Sequence, residues 1–205
     1  ADRWPDGCGV LVVDHFGRGA EFESACRLWA GRIMVIEDVP NREHDCDIVF
    51  DHTPARTNED YKDLLLPNCR MLLGPQFALL RPQFAKARTD AILRRRQETT
   101  VRRVFIGVGA VDDKNKTSAA LEGIAEAGVD VEVDVVIGPA ARNLAQVKIL
   151  AEKLPVSVAL HIDSREVAGL MSGADIAIGG AGTGSWERCC VGLPSLVIVT
   201  DYNQE

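Results

Sequence analysis

The chain has 205 residues, of which 30 are acidic and 23 are basic, and its formal net charge is −7. This length can bury the core of one large domain or two small ones. The negative charge disfavours a general polyphosphate-binding surface, so no nucleic-acid partner is expected. The longest apolar runs have only the length of strands, and the N-terminus lacks a basic region followed by an apolar one. We therefore expect a soluble, cytoplasmic protein without a membrane span.

In the first half of the chain, apolar runs alternate with a helical stretch, which is typical of βα units around a mostly parallel sheet. Strands are predicted at 10–13, 33–36, 48–50 and 71–73, and a helix at 20–29. Each strand is followed by polar or bending residues, for example Asp14-His15 and Gly74-Pro75. The sequence thus predicts an α/β fold.

A charged, helical stretch then runs from Phe84 to about Thr100 and ends in Arg-Arg-Arg-Gln-Glu-Thr-Thr. We interpret its arginines as a solvated helix face. Residues 87–101 are the predicted linker between an N-terminal domain, 1–86, and a C-terminal domain, 102–205.

The second half repeats the alternation of strands and helices. Strands are predicted at 104–108, 131–137, 156–160 and 175–178, and helices at 115–127, 141–154 and 165–171. This order predicts a Rossmann-like sheet. The cluster Asp112-Asp113-Lys114-Asn115 is interpreted as a cap of the helix that follows, rather than as a metal site. The six cysteines show neither a CxxC pair nor zinc-ligand spacing, so neither a disulfide framework nor a metal site is expected. No cofactor is predicted either.

The stretch from Gly179 to Glu205 carries the strongest functional signal. Its residues Gly182, Thr183, Gly184 and Ser185 form a predicted glycine-rich turn whose backbone N–H groups can approach a phosphate. A short helix predicted to begin near Trp186 adds its positive end, and Glu187 in its first turn can accept from sugar hydroxyls. Asn203 and Gln204 follow the apolar run 196–199, which places them at the carboxyl end of a strand, where α/β sheets bind ligands. Together these residues predict a nucleotide-sugar pocket.

The chain also resembles a known family. The resemblance rests on five segments, which run in family order over nearly the whole chain: Leu11-Val-Val-Asp-His-Phe-Gly, Arg32-Ile-Met-Val-Ile-Glu-Asp, Leu73-Gly-Pro-Gln-Phe-Ala-Leu-Leu-Arg-Pro-Gln-Phe, Ile106-Gly-Val-Gly-Ala-Val-Asp-Asp-Lys-Asn-Lys-Thr, and the stretch from Gly179. They are similar to the UDP-2,4-diacetamido-2,4,6-trideoxy-β-L-altropyranose hydrolases of pseudaminic acid biosynthesis. That family has the two-domain GT-B architecture and is related to the peptidoglycan N-acetylglucosaminyltransferase.

The resemblance implies hydrolysis of a UDP-linked sugar in a cleft between two Rossmann-like domains. The products would be UDP and a free diacetamido-trideoxy sugar that leads to a nonulosonic acid used to glycosylate flagellin or surface polysaccharide. It also implies that Gly109, Gly182, Thr183, Ser185, Glu187 and Asn203 hold UDP and the start of the sugar. No metal is required by this chemistry.

Two departures from the family pattern bear on catalysis. The family begins with a strand and a Gly-x-Gly-His loop whose histidine is thought to activate water, and this sequence has no such segment. The chain also stops after Asn203-Gln204-Glu205, where the family continues. The expectation is therefore a fragment with an incomplete N-terminal domain and without the family's catalytic base.

Asp14 and His15 are the remaining catalytic candidates, because they follow a strand that faces the cleft of a GT-B protein and the imidazole could orient substrate or relay a proton. The alternative is a surface histidine in a turn. Two other functions stay open for the whole chain: a GT-B glycosyltransferase that uses a UDP-sugar, and a non-catalytic sugar-nucleotide-binding module. The oligomeric state cannot be read from the sequence.

Overall fold

The computed structural model describes residues 5–98 and 100–200. They form two compact units, divided between Leu79 and Leu80. Each unit contains one parallel β-sheet, of four strands in the first and five in the second, which confirms the predicted α/β fold. No helix in the described ranges is both long enough and apolar enough to cross a membrane.

The first unit is a four-stranded parallel sheet in the order β1-β2-β3-β4. Its elements are β1 (Leu11–Asp14), α1 (Ala20–Cys26), β2 (Ile33–Ile36), β3 (Ile48–Asp51) and β4 (Arg70–Leu73), with short 3-10 turns at Asn58–Tyr61 and Pro75–Phe77. All four predicted strands are present, with ends that differ by one residue at most. The core of this unit contains Val13, Ile33, Val35, Val49 and Tyr61.

Helix α1 ends at Cys26, three residues earlier than the sequence predicted. The reason is a competing interaction with the chain that precedes β1. The N–H of Cys8 donates to the carbonyl of Trp29 at 2.9 Å, and the N–H of Gly31 donates to the carbonyl of Cys8 at 2.9 Å. Ala30 therefore forms a parallel bridge with Cys8 just after the last turn of the helix.

A buried polar cluster connects α1 to the end of β2. The Nδ1 atom of His44 lies 2.8 Å from Oε1 of Glu23, and its Nε2 atom lies 3.3 Å from Oε2 of Glu37. All three residues are at most 3% exposed. Arg42 forms a further ion pair with Glu37 at 2.5 Å. Burial lowers the pKa of His44, but its hydrogen bonds to the Glu23 and Glu37 carboxylates outweigh burial and raise that pKa to about 9.

The second unit is a doubly wound sheet in the order β7-β6-β5-β8-β9, with all strands parallel. Its elements are α2 (Pro82–Gln97), β5 (Arg103–Gly107), α3 (Lys116–Glu126), β6 (Glu132–Ile137), α4 (Leu144–Lys153), β7 (Ser157–Ile162), α5 (Val167–Gly173), β8 (Ile176–Gly180), α6 (Gly184–Cys190) and β9 (Ser195–Ile198). The alternating strands and helices that the sequence predicted are thus all present. Helices cover both faces of the sheet, as a parallel sheet requires.

Each face of this sheet has its own hydrophobic core. On one face, Ile106, Val133 and Val135 pack with Leu121 of α3 and Val147 of α4. The opposite face has Phe105 and Ala177 packed with residues of α2 and α5, namely Phe84, Ala91, Val167, Ala168 and Met171. Five strands are therefore sandwiched between two helical layers.

Helix α2 covers most of the predicted linker, 87–101, but it is part of the second unit. Phe84 and Ala91 are buried in that unit's core. Arg94 and Arg95, which the sequence suggested were solvated, donate to carbonyls at the end of α5: Nε of Arg94 to Ser172 at 3.1 Å, and Nε of Arg95 to Ala174 at 3.0 Å. The run of charges does not indicate this role, because these arginines donate hydrogen bonds to the last carbonyls of α5 instead of facing water.

Candidate functional site

The strand order of the second unit defines where a ligand would bind. Strand β5 lies in the middle, and the chain continues from it to β6 on one side and returns to β8 on the other. The loops after β5 and β8 therefore diverge and leave a crevice at the carboxyl end of the sheet. In open α/β sheets, ligands bind in the crevice at such a reversal of strand order.

A cavity of ≈ 400 Å³ occupies this position, a size that falls within the usual range for small-molecule sites. Its residues come from the loops after four of the strands, from α5 and α6, and from the start of α2. They are Arg81, Phe105, Gly107, Val108, Gly109, Ala110, Val136, Ile137, Gly138, Asp163, Ser164, Val167, Met171, Gly180, Gly182, Thr183, Gly184 and Glu187. Phe105, Val136, Val167 and Met171 give the cavity an apolar wall, while exposed backbone and three charged side chains give it a polar one.

The backbone at two glycines shapes the polar wall. Gly109 has a φ of 150°, a conformation that side chains disfavour. Gly180 packs so closely on the loop after β5 that a Cβ there would lie 2.3 Å from the carbonyl oxygen of Val108. Glycine at position 180 therefore allows the loops after β5 and β8 to meet at the crevice.

Helix α6 begins at Gly184, two residues earlier than predicted, with Thr183 as its N-cap. The turn uses the N–H of Ser185, which donates to the carbonyl of Gly182 at 2.8 Å, and that of Trp186, which donates to Thr183 at 3.1 Å. The first N–H groups of a helix lack intrahelical acceptors. The backbone donors that this turn offers a ligand are therefore those of Gly182, Thr183 and Gly184. With seven residues, α6 is too short for its dipole to be the main attraction.

Glu187 lies in the first turn of α6, as predicted, and its carboxylate has a cationic partner at the cavity. Nη2 of Arg81 donates to Oε1 of Glu187 at 3.1 Å. The Arg81 guanidinium also lies over the ring of Phe84, 5.1 Å from its centroid. The side chain of Arg81 is 46% exposed and that of Glu187 is 15% exposed. Both side chains line the cavity, so one acceptor and one donor stand side by side in its wall.

Ser185 faces away from the cavity that the other residues of the turn line. Its hydroxyl is 3.3 Å from the carbonyl oxygen of Gly180 and accepts a hydrogen bond from Nη2 of Arg188 at 3.0 Å. Arg188 is only 1% exposed, and the same Nη2 donates to the Gly180 carbonyl at 2.8 Å. The Ser185 side chain therefore supports the turn from behind.

The predicted binding residues are brought together in part. Gly109, Gly182, Thr183, Gly184 and Glu187 line one cavity. Asn203 and Gln204 lie outside the described residues. Asp14 and His15 belong to the first unit, where both are exposed and Nδ1 of His15 accepts the N–H of Gly17 at 2.9 Å. Their catalytic role stays a prediction.

Sequence reasoning missed two charged residues of the cavity. Arg81 ends the Gly-Pro-Gln-Phe-Ala-Leu-Leu-Arg segment that marks the family resemblance, so its place in that motif was the available signal. Asp163 directly follows β7 and has a φ of 54°, which is uncommon for a residue other than glycine. No sequence signal distinguishes it from an ordinary residue at the end of a strand.

The predicted cap at Asp112–Asn115 is present. Helix α3 begins at Lys116, and the Asp112 carboxylate accepts the N–H groups of Lys116 at 2.8 Å and Thr117 at 2.9 Å. Within residues 5–98 and 100–200, the His, Cys, Asp and Glu side chains form no group of three or more that could hold a metal ion. The Asp112 carboxylate thus accepts the first N–H groups of α3, as the cap prediction required.

These features define the class of protein. The chain has two Rossmann-like α/β units, and the second has a cavity at the point where strand order reverses. This is the organisation of GT-B proteins. The solved structure of MurG from Acinetobacter baumannii confirms the fold, with a TM-score of 0.57 and 14% sequence identity over 93% of this chain and 53% of that one.

Sequence comparison identifies relatives among known proteins. The chain is 31% identical over 197 residues to the spore coat polysaccharide biosynthesis protein SpsG of Bacillus subtilis, a match that covers 92% of this chain and 55% of SpsG. It is 26% identical over 163 residues to the UDP-2,4-diacetamido-2,4,6-trideoxy-β-L-altropyranose hydrolase of Campylobacter jejuni, covering 80% of this chain and 56% of the hydrolase. The resemblance that the motifs indicated is thereby confirmed. No family model matches the chain, which spans about half the length of these relatives.

Proposed function

We propose that the cavity of the second unit binds a UDP-sugar and that the protein to which this chain belongs hydrolyses the bond between the sugar and UDP. The observation that carries this proposal is the cavity itself: ≈ 400 Å³ at the switch point, with glycine backbone, Glu187 and Arg81 in its wall. A planar base suits the apolar wall, and ribose hydroxyls suit the Glu187 carboxylate. The diphosphate would lie at the N–H groups of Gly182 to Gly184.

The chemistry that these residues can supply is stabilisation of a leaving group. When water attacks the sugar, the bond to the diphosphate breaks and negative charge develops on UDP. Fixed N–H donors and the Arg81 guanidinium next to this charge would lower the barrier, because they need no reorganisation during the reaction. The Campylobacter relative supports the finer assignment, in which the substrate is UDP-2,4-diacetamido-2,4,6-trideoxy-β-L-altropyranose and the product leads to pseudaminic acid and flagellin glycosylation.

A GT-B glycosyltransferase that uses a UDP-sugar is the second candidate. The likeness in fold to MurG favours it, although one fold hosts many reactions. The two reactions share the nucleotide cavity and differ in the acceptor, which is water in one and a hydroxyl compound in the other. A non-catalytic module that only binds the sugar nucleotide would share the same cavity.

The test has two stages. Titration calorimetry with UDP measures binding to the chain, and we expect a micromolar Kd that Glu187→Gln weakens. Absence of UDP binding to the folded chain would contradict the proposal. The second stage follows UDP release from the UDP-diacetamido sugar with and without added sugar acceptors. Release in water alone supports hydrolysis, release only with an acceptor supports transfer, and binding without release supports the non-catalytic module.

A further inference from the structure

Arg188 is a buried cation whose hydrogen-bonding capacity is only partly used. It is 1% exposed and lies on α6, behind the turn that follows β8. Its Nη2 atom donates to the Gly180 carbonyl at 2.8 Å and to the Ser185 hydroxyl at 3.0 Å. In the part of the chain that the structure describes, its Nε and Nη1 atoms have no hydrogen-bond partner, and the attraction of the neighbouring Glu187 carboxylate is outweighed by the effect of burial.

Such an arrangement is costly for a folded protein. Burial lowers the pKa of the Arg188 guanidinium, yet arginine stays protonated in proteins. A buried charge normally has a partner of opposite sign, because an unpaired one loses its hydration without compensation. An anionic ligand would supply the opposite charge that burial leaves Arg188 needing.

Arg95 shows what a structural arginine of the same unit looks like. Its three nitrogens all donate to carbonyls: Nε to Ala174 at 3.0 Å, Nη1 to Val191, and Nη2 to Met171 at 2.5 Å. Burial lowers the pKa of Arg95 as well. Arg95 thus joins helices by filling backbone acceptors, whereas Arg188 leaves two of its nitrogens unused.

The position of the guanidinium links it to the cavity. A Cβ on Gly179 would lie 2.3 Å from Nη1 of Arg188, and a Cβ on Gly184 would lie 3.2 Å from the same atom. Glycine at these two positions therefore makes room for the charge directly against the backbone. Gly180, whose carbonyl accepts from the guanidinium, and Gly184, whose Cβ position faces it, also line the cavity. Residues Gly180 to Gly184 therefore have the cation on one side and include residues that line the cavity.

We propose that Arg188 is a positioning residue and the fixed counter-charge for a diphosphate group bound in the cavity, on the other side of the turn formed by Gly180 to Gly184. It holds the Gly180 carbonyl and the Ser185 hydroxyl behind the turn, so that the N–H groups of Gly182 to Gly184 stay directed at the ligand. Its charge acts across a medium of low polarity, where electrostatic attraction is strong. The inference rests on the proposed nucleotide site. It explains why that site would prefer a ligand with a diphosphate group.

The test compares three probes, UDP, uridine and inorganic pyrophosphate, on the wild-type chain and on Arg188→Met, which keeps an unbranched apolar stem but removes the guanidinium and its charge. We expect the affinity for UDP and pyrophosphate to fall roughly 10- to 100-fold and that for uridine to change less than about twofold. The Tm of the unliganded variant should be unchanged or higher, because an unpaired buried charge has been removed. Arg188→Lys should recover part of the affinity.

Arg95→Met is the matched control. It should lower the Tm and leave the ratio of UDP to uridine affinity as in the wild type. Equal losses of UDP and uridine binding in Arg188→Met would show a purely structural role and overturn the proposal, as would unchanged UDP binding. Pyrophosphate binding that depends on Arg188, without any uridine binding, would retain the anion site and refute the nucleotide assignment. If the wild-type chain binds UDP and uridine with equal affinity, the nucleoside site is retained and the anion site at Arg188 is refuted.

A measurement without any change at Arg188 covers the case in which its variants do not fold. Pyrophosphate binding to Arg81→Gln, which lacks the exposed cation of the cavity, is measured at about 0.05 M and about 0.5 M NaCl. A buried charge is screened little by salt, so we expect the affinity to change less than about threefold. If raising the salt concentration weakens pyrophosphate binding as strongly as it weakens binding to exposed cations, the proposal is overturned.

Discussion

Arg81 and Glu187 are 106 residues apart in sequence, and their side chains meet at 3.1 Å in the wall of the cavity. The pair connects the start of α2 to the first turn of α6. Because the Arg81 side chain is half exposed, we expect this ion pair to contribute less than about 1 kcal/mol to stability. Its consequence is geometric: the carboxylate that the sequence assigned to the ligand is held at the cavity by a cation that can also contact the ligand.

The first prediction concerns the acceptor strength of Glu187. In Glu187→Gln, a neutral amide replaces the carboxylate at nearly constant size, so hydrogen bonds from ribose hydroxyls weaken. We expect the Kd for UDP, measured by titration calorimetry, to rise about tenfold with little change in Tm. Glu122→Gln, an exposed change on α3, is the control and should bind UDP as the wild type does. Equal affinities in both variants would remove Glu187 from the site.

The second prediction concerns the close contact of Gly180 with the loop after β5. In Gly180→Ala, the new Cβ meets the Val108 carbonyl oxygen at 2.3 Å, and the backbone on both sides must move. We expect a loss of unfolding free energy of roughly 2–4 kcal/mol and a loss of UDP binding. Gly123→Ala is the matched control: this glycine is exposed on α3, and nothing lies within 4 Å of its Cβ position. It should raise the unfolding free energy by roughly 0.5–1 kcal/mol and retain UDP binding. If Gly180→Ala and Gly123→Ala had similar effects, the close contact of Gly180 with Val108 would be refuted.

Much of the fold was predictable, because parallel strands leave a strong pattern. The largely buried runs Ile33–Ile36 and Glu132–Ile137 are rich in β-branched residues and are followed by polar or bending residues. The role of α2 was not predictable in the same way. Its arginines give it the composition of a solvated segment, and only the carbonyls at the end of α5, about 80 residues later in the chain, reveal their partners.

The candidate site was predictable where local sequence determines backbone geometry. Gly182, Thr183 and Gly184 form a turn whose conformation depends on few neighbours, and the turn was found. Arg81 and Asp163 reach the cavity only because the sheet brings distant loops together, and Ser185 is directed away from it by Arg188. Interactions of this kind depend on packing between elements, which spacing along the chain does not encode.

The third prediction concerns the pH dependence of the first unit. The pKa of His44 is raised from its ordinary value of 6.5 to about 9 in the folded protein, against burial, by Glu23 and Glu37. A raised pKa means that the stabilisation is fully present below about pH 6.5 and is lost as the pH rises towards 9. We expect the unfolding free energy to fall by a few kcal/mol over this window, as measured by urea denaturation between pH 6 and pH 9.

The variant His44→Gln removes this titration. It should be less stable than the wild type at pH 6, because Glu23 and Glu37 lose their buried cationic partner, and the difference should narrow towards pH 9. His15→Gln changes an exposed histidine of the same unit and should follow the wild-type curve. A difference between His44→Gln and the wild type that stays constant with pH would show that folding does not shift the pKa of His44.

The fourth prediction concerns the start of α3, next to the loop that carries Gly109. The Asp112 carboxylate accepts two backbone N–H groups at 2.8 and 2.9 Å and is 8% exposed. In Asp112→Ala these buried donors lose their acceptor, so we expect a loss of roughly 1–2 kcal/mol of unfolding free energy by chemical denaturation. Asp113→Ala is the matched control, since Asp113 forms an ion pair with Arg142 at 3.2 Å and both side chains are more than half exposed. That change should cost less than about 0.5 kcal/mol. If the two alanine variants were equally stable, the cap would contribute nothing and the acidic cluster would need another explanation.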